Sequence, residues 1–225
     1  MKWHEFSSSE EAVRAMVRDI SAVLRQEIAT TGRAGLAVSG GRSPLPLFEA
    51  LSVAPLPWKD VRITLVDERH VAPDHPDSNE SLVRTHLLKN QASAARFTGL
   101  AGPALDMRDD VARANRQADE ITLALLGMGE DGHTASWFPG APQLGRALDP
   151  ALADRYIHVT PPSAPHERIS MTLAALLTAR RIMLAVAGPT KRAVFEQASR
   201  HATPDMPVSY VIAQTGVPFD VYWHA

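Results

Sequence analysis

The sequence predicts an α/β fold: a mostly parallel β-sheet with helices on both faces, formed by one domain spanning residues 1–225. Three observations carry the prediction. Short apolar runs of strand length alternate with segments of helical periodicity along the chain. The principal runs end in glycine-rich or charged loops that lead into the next helix, as the β-loop-α units of a parallel sheet require. The run from Ile121 to Leu126 reads as a strand buried on both faces.

Taken in order, Ser7, Ser8 or Ser9 supplies an N-cap for a first helix. Its apolar positions Ala12, Val13, Met16, Ile20, Val23, Leu24 and Ile28 recur at helical spacing and stop near Gly32, a C-terminal glycine signal. Gly35-Leu36-Ala37-Val38 is a short strand, after which Ser43 is placed to cap a helix with Pro44 at its first position. Arg62 to Val66 is a second strand, followed by a polar loop from Asp67 to Asn79 and a helix carrying Leu82, Val83, Leu87 and Leu88. Residues 106–119 are helix-permissive and precede the buried strand. Ile157–Thr160, Ile182–Ala187 and Val208–Ile212 read as further strands, with a helix opening at Pro189.

Composition narrows the function. A formal net charge of -2 supplies no field for nucleic acid or an anionic membrane, so an anionic ligand must be caught locally. The absence of cysteine excludes disulfides, thiolate zinc sites and a thiol nucleophile. No apolar leader follows Met1, and no stretch approaches the roughly 20 apolar residues of a membrane span, which makes the cytoplasm the expected location.

Four loops carry candidate chemistry. In Ser39-Gly40-Gly41-Arg42-Ser43-Pro44, Gly40 and Gly41 let backbone N–H groups approach an anion at a helix start; a tight turn is the bland alternative, and the P-loop spacing is missing. The second loop opens with Asp67-Glu68-Arg69-His70. Asp67, His70, Asp74, His75 and Asp77 are possible metal ligands, but their spacing fits no compact metal motif and Arg69 would repel a cation, which favours substrate-orienting or structural roles.

The third loop, Gly127 to Ser136, contains a formal Gly-x-Gly-x-x-Gly. A dinucleotide site would need a full helix after it, and Pro139, Gly140 and Pro142 interrupt one. The stretch reads instead as a wrap around a small polar substrate, presenting Asp131 and His133. A histidine's ordinary pKa suits it to take a proton from water, Asp131 would orient it, and backbone N–H groups of the same loop are candidate oxyanion donors. In the fourth element, Lys191 sits in the first turn of a helix, where the dipole disfavours a cation unless an anion binds there. Arg168, able to fork onto phosphate, would complete a phosphate site with Lys191 and the first loop.

In their order along the chain these motifs resemble those of the 6-phosphogluconolactonase family, within the group that includes glucosamine-6-phosphate deaminase. They are Ser39–Pro44, Asp67-Glu68-Arg69 with Ser78-Asn79, Gly127–Ser136 with Phe138-Pro139-Gly140, Arg168–Thr172, and Gly188 with Lys191. The resemblance implies a Rossmann-like, sugar-phosphate isomerase/deaminase-like fold. It also implies hydrolysis of 6-phospho-D-glucono-1,5-lactone by a carboxylic ester hydrolase of the pentose phosphate shunt, with no metal and no cofactor. On that mapping His133 is the general base, Asp131 orients the site, and Arg69 contacts substrate hydroxyls or carboxylate. Arg168, Lys191 and Ser43 hold the phosphate, while Asp67 joins the chemistry or shapes its loop. A monomer acting on a small phosphorylated lactone is expected. The alternatives are a deaminase or isomerase, and a non-catalytic sugar-phosphate sensor. Deaminase loops typically continue Asp-Gly-His-Ile-Ala-Phe-Asn-Glu, whereas Asp131 to Phe138 has no acid after the histidine.

Overall fold

A computed structural model describes residues 1–102 and 106–225. The chain opens with β1 (Lys2–Phe6), α1 (Ser9–Thr31), β2 (Ala34–Val38), α2 (Leu45–Ser52), β3 (Val61–Leu65), β4 (Asp67–Arg69), α3 (Asn79–His86) and β5 (Arg96–Thr98). It continues with α4 (Met107–Gln117), β6 (Leu123–Leu126), α5 (Leu144–Ala147), β7 (Tyr156–Val159), β8 (Arg168–Met171) and α6 (Leu173–Leu176). Last come β9 (Arg181–Ala187), α7 (Gly188–Ala198), α8 (Val208–Ala213) and β10 (Phe219–His224).

Seven strands form a parallel sheet in the order β1-β10-β9-β6-β2-β3-β5, and β4-β8-β7 form a small antiparallel sheet. Every residue of β2 and β6 is buried, so both faces of the parallel sheet are covered at its centre. From β2 the chain builds outward through β3 and β5, then returns to the other side of β2 with β6 and builds the opposite way. The carboxyl ends of β2 and β6 therefore flank the switch point where open α/β sheets bind ligands.

The first helix follows its signals: the Ser8 side chain accepts from Glu11 N–H, and Gly32 ends the helix at φ 82. Other expectations need correction. Val208–Ala213 is helical, not a strand; Pro207 already has helical dihedrals, and Val208 and Val211 bury one side of a turn. The strand in that region is β10, and β1 pairs with it at the sheet edge. Ile157–Thr160 lies largely in the antiparallel sheet as β7. Asp67–Arg69, expected as loop, is β4. Pro44, not Ser43, occupies the cap position of α2, and no side chain caps that helix. Among the described residues, no helix is long and apolar enough to cross a membrane.

Candidate active site

A cavity of about 250 Å³ opens at the switch point, walled by the loops after β2 and β6, by β4, by Asn79 at the start of α3 and by Lys191 in α7. It brings together Gly40, Gly41, Ser43, Asp67, Arg69, His133 and Lys191. The other sequence-selected residues lie elsewhere. Arg42 is exposed and off the cavity wall, where a bulky cation meets solvent freely. Asp131 stands behind His133. Arg168 is 5% exposed and also off the wall; its Nη1 donates to the carbonyls of Pro165 (2.7 Å) and His166 (3.0 Å). Burial holds its guanidinium below the usual arginine range.

The glycine loop after β2 has the character of an anion cradle. Among the described residues, the N–H groups of residues 40–43 find no hydrogen-bond partner, leaving four donors at the entrance to α2. Gly41 takes φ 97, in the left-handed region. Gly40 is required by close approach: a Cβ there would lie 1.8 Å from Asn79 Oδ1. Ser43, released from capping, has its hydroxyl available to the cavity. Lys191 is half-buried in the first turn of α7, where no side chain caps the helix.

The loop after β6 holds a carboxylate–imidazole pair. Asp131 Oδ1 lies 2.6 Å from His133 Nδ1 and also accepts the His133 N–H at 3.1 Å. A carboxylate only accepts, so Nδ1 carries the proton and Nε2 has the free lone pair. The hydrogen bond from His133 in turn keeps the Asp131 carboxyl below its ordinary range, so the group stays ionised at neutral pH. Two of the loop's amides are taken up by the loop itself: Gly129 N–H donates to the His133 carbonyl (2.9 Å) and Gly132 N–H to the Gly129 carbonyl (3.1 Å). Those two amides are committed to loop shape and cannot receive an oxyanion. Asp131→Asn is expected to lower kcat by about 10²-fold or more, because a neutral amide no longer fixes the tautomer and orientation of the imidazole. Wild-type kcat in Asp131→Asn would separate Asp131 from the reacting proton.

Between these loops sits β4. Asp67 Oδ2 accepts from Ser136 Oγ at 2.6 Å, and Asn79 Nδ2 donates to the Asp67 carbonyl at 2.8 Å. The Ser136 N–H donates to Ser170 Oγ at 3.1 Å, joining the β6 loop to β8. Arg69 Nη1 donates to the Asp77 carbonyl at 2.6 Å, which holds the guanidinium along the cavity wall. Asn79, Ser136 and Ser170 carry no role of their own in the sequence reading, where each figures only as part of a motif. Of the metal candidates, Asp67 is held by Ser136, His70 pairs with buried Asp110, His75 accepts the Asp77 N–H, Asp77 pairs with His166, and Asp74 is exposed. Among the described residues, no group of three or more His, Asp or Glu is arranged to hold a metal ion.

Glu68 explains how three consecutive charges form a strand. It is 1% exposed, and its carboxylate accepts from the N–H groups of Arg69, Asn79 and Glu80, each at 2.7 Å, and from Ser78 Oγ at 3.0 Å. Burial pushes its pKa up to about 7 against the pull of those donors. The folded state therefore binds the proton more tightly than the unfolded chain does. The associated stability is full below the ordinary carboxyl value and is lost as pH rises through about 7. Thermal unfolding between about pH 5 and pH 8 should show a decline on the order of 3 kcal/mol from this group, absent in Glu68→Gln. Equal slopes in the two proteins would refute it.

Comparison with known proteins agrees with this geometry. A profile of the glucosamine-6-phosphate isomerases/6-phosphogluconolactonase family matches residues 7–223. The chain is 41% identical over 226 residues to the 6-phosphogluconolactonase of Neisseria meningitidis serogroup A, covering 98% of each chain. It is 39% identical over 223 residues to that of Pseudomonas aeruginosa, covering 97% of this chain and 93% of the relative. The crystal structure of a 6-phosphogluconolactonase from Shewanella baltica superposes with a TM-score of 0.95 at 36% identity, covering 100% of this chain and 98% of the other. With a profile match across almost its whole length and a cavity at the family's motifs, the chain belongs to the glucosamine-6-phosphate isomerase/6-phosphogluconolactonase family.

Proposed function

We propose that this chain hydrolyses 6-phospho-D-glucono-1,5-lactone to 6-phospho-D-gluconate in the oxidative pentose phosphate pathway, with water activated by His133. The observation that carries the reading is a carboxylate–imidazole pair on the same cavity as an anion loop with four unpaired N–H groups. The phosphate sits on the amides of residues 40–43, Ser43 Oγ and Lys191, and this anchorage places the lactone carbonyl before His133. His133 Nε2 takes a proton from water as the water oxygen attacks C1. The tetrahedral intermediate then collapses, the C1–ring oxygen bond breaks, and His133 gives the proton taken from water to the ring oxygen, which leaves as a hydroxyl and restores the neutral imidazole. Arg69 contacts substrate hydroxyls or the forming carboxylate, and Asp67 secures the wall beside it. These steps need neither metal nor cofactor.

A deaminase or isomerase must move a proton between C1 and C2, and the stretch Thr134–Phe138 offers no second acid for that work. One profile match running across residues 7–223 supports a single-domain enzyme. A charged sugar phosphate does not cross membranes, which supports a cytoplasmic location. The test is the hydrolysis rate of freshly generated lactone, coupled to 6-phosphogluconate dehydrogenase and compared with the uncatalysed blank. A large acceleration with no turnover of glucosamine 6-phosphate is expected. No acceleration, or turnover of the amino sugar, would overturn the reading.

A further inference from the structure

The imidazole of His133 touches more than Asp131. The Phe138 ring lies against it, centroids 4.7 Å apart and planes inclined at 38°. On the same Phe138 ring stands Arg168, its guanidinium carbon 5.8 Å from the centroid. Arg168 is anchored through Nη1 by the Pro165 and His166 carbonyls and is nearly excluded from solvent. The order is thus a fixed cation, an aromatic ring and the imidazole.

A single hydrogen bond at Nδ1 does not define a histidine's plane, because rotation about its second side-chain torsion is soft. A flat ring packed against the imidazole removes that freedom, and a cation held over the ring restrains the ring in turn. We propose that Phe138 and Arg168 are positioning residues for His133, with Arg168 acting on the reaction through Phe138 and not by gripping the substrate phosphate. The inference rests on His133 being the base.

The experiment is a double-mutant cycle with Phe138→Leu, Arg168→Gln and the double variant, read as kcat, KM for the lactone and pH profile, below the lowest Tm of the set. Each single variant is expected to lose about 10-fold in kcat with KM within about twofold of wild type, and the double variant to lose little more, since coupled residues are non-additive. Phe138→Tyr, which keeps the ring, should stay within about twofold of wild-type kcat. If Phe138→Leu does not fold, Arg168→Gln alone decides: a lower kcat at unchanged KM supports the inference. A KM raised about 10-fold, together with weakened inhibition by inorganic phosphate, would make Arg168 a phosphate ligand and overturn it. Additive losses in the cycle, or a Phe138→Tyr as poor as Phe138→Leu, would overturn it as well. An active His133→Ala would sink the base assignment itself, whereas an inactive His133→Ala with additive losses would sink only the positioning role.

Discussion

Replacing His133 with alanine is expected to lower kcat/KM for the phosphorylated lactone by about 10²–10⁴-fold, the usual worth of a positioned general base. Little stability should be lost, because the side chain is 31% exposed and its Nδ1 partner, Asp131, is 51% exposed. Removing it opens no cavity in the core and leaves no buried charge. Phosphate affinity should survive, since the cradle of residues 40–43 and Lys191 belongs to other elements. A δ-lactone also opens without help, so the variant should settle near the blank, and rates must be taken on freshly generated substrate. Wild-type activity in His133→Ala would remove this histidine from the mechanism.

Gly129→Ala tests the same pair without touching either member. A Cβ at Gly129 would lie 2.2 Å from His133 Nδ1 and 2.5 Å from Asp131 Oδ1, so the methyl group would occupy the space of their hydrogen bond. Gly129 is not among the residues at positive φ, so its backbone accepts alanine and the damage falls on the side chains. An expected loss of about 10²-fold in kcat, with Tm nearly unchanged, follows from misplacing the base. Gly132→Ala is the contrast: it has φ 78, and a Cβ would approach Met206 Cβ to 2.9 Å, so stability should fall there first. If Gly129→Ala kept full activity, the hydrogen bond between His133 and Asp131 would not matter to the reaction.

How far the sequence could be read depended on whether a signal was local. The first helix was legible because its caps and apolar spacing lie within one segment, and the buried strands because their composition is extreme. Val208–Ile212 misled because its β-branched residues favour strands in isolation, while Pro207 and the packing of Val208 and Val211 decide for helix. The strand β10 was hidden by Asp220, a charge that can be buried only because His4 and Arg181 reach it from β1 and β9. In the site, Gly40, Gly41, His133 and Lys191 announced themselves through their loops. Ser136 and Ser170 did not, because their roles depend on partners 69 and 34 positions away. Arg168 was legible as a cation but not in its direction, which is set by the hairpin carbonyls of Pro165 and His166.

The bond from Ser136 to Asp67 and the bond from Ser136 to Ser170 stitch the parallel sheet's loop to the antiparallel sheet. A chain with its parallel sheet assembled and its β7–β8 hairpin still undocked would own the glycine loops and yet lack a fixed Asp67 and Arg69. Competence for catalysis therefore requires both sheets to be joined, and in refolding the return of enzymatic turnover reports that joint and not the parallel sheet alone.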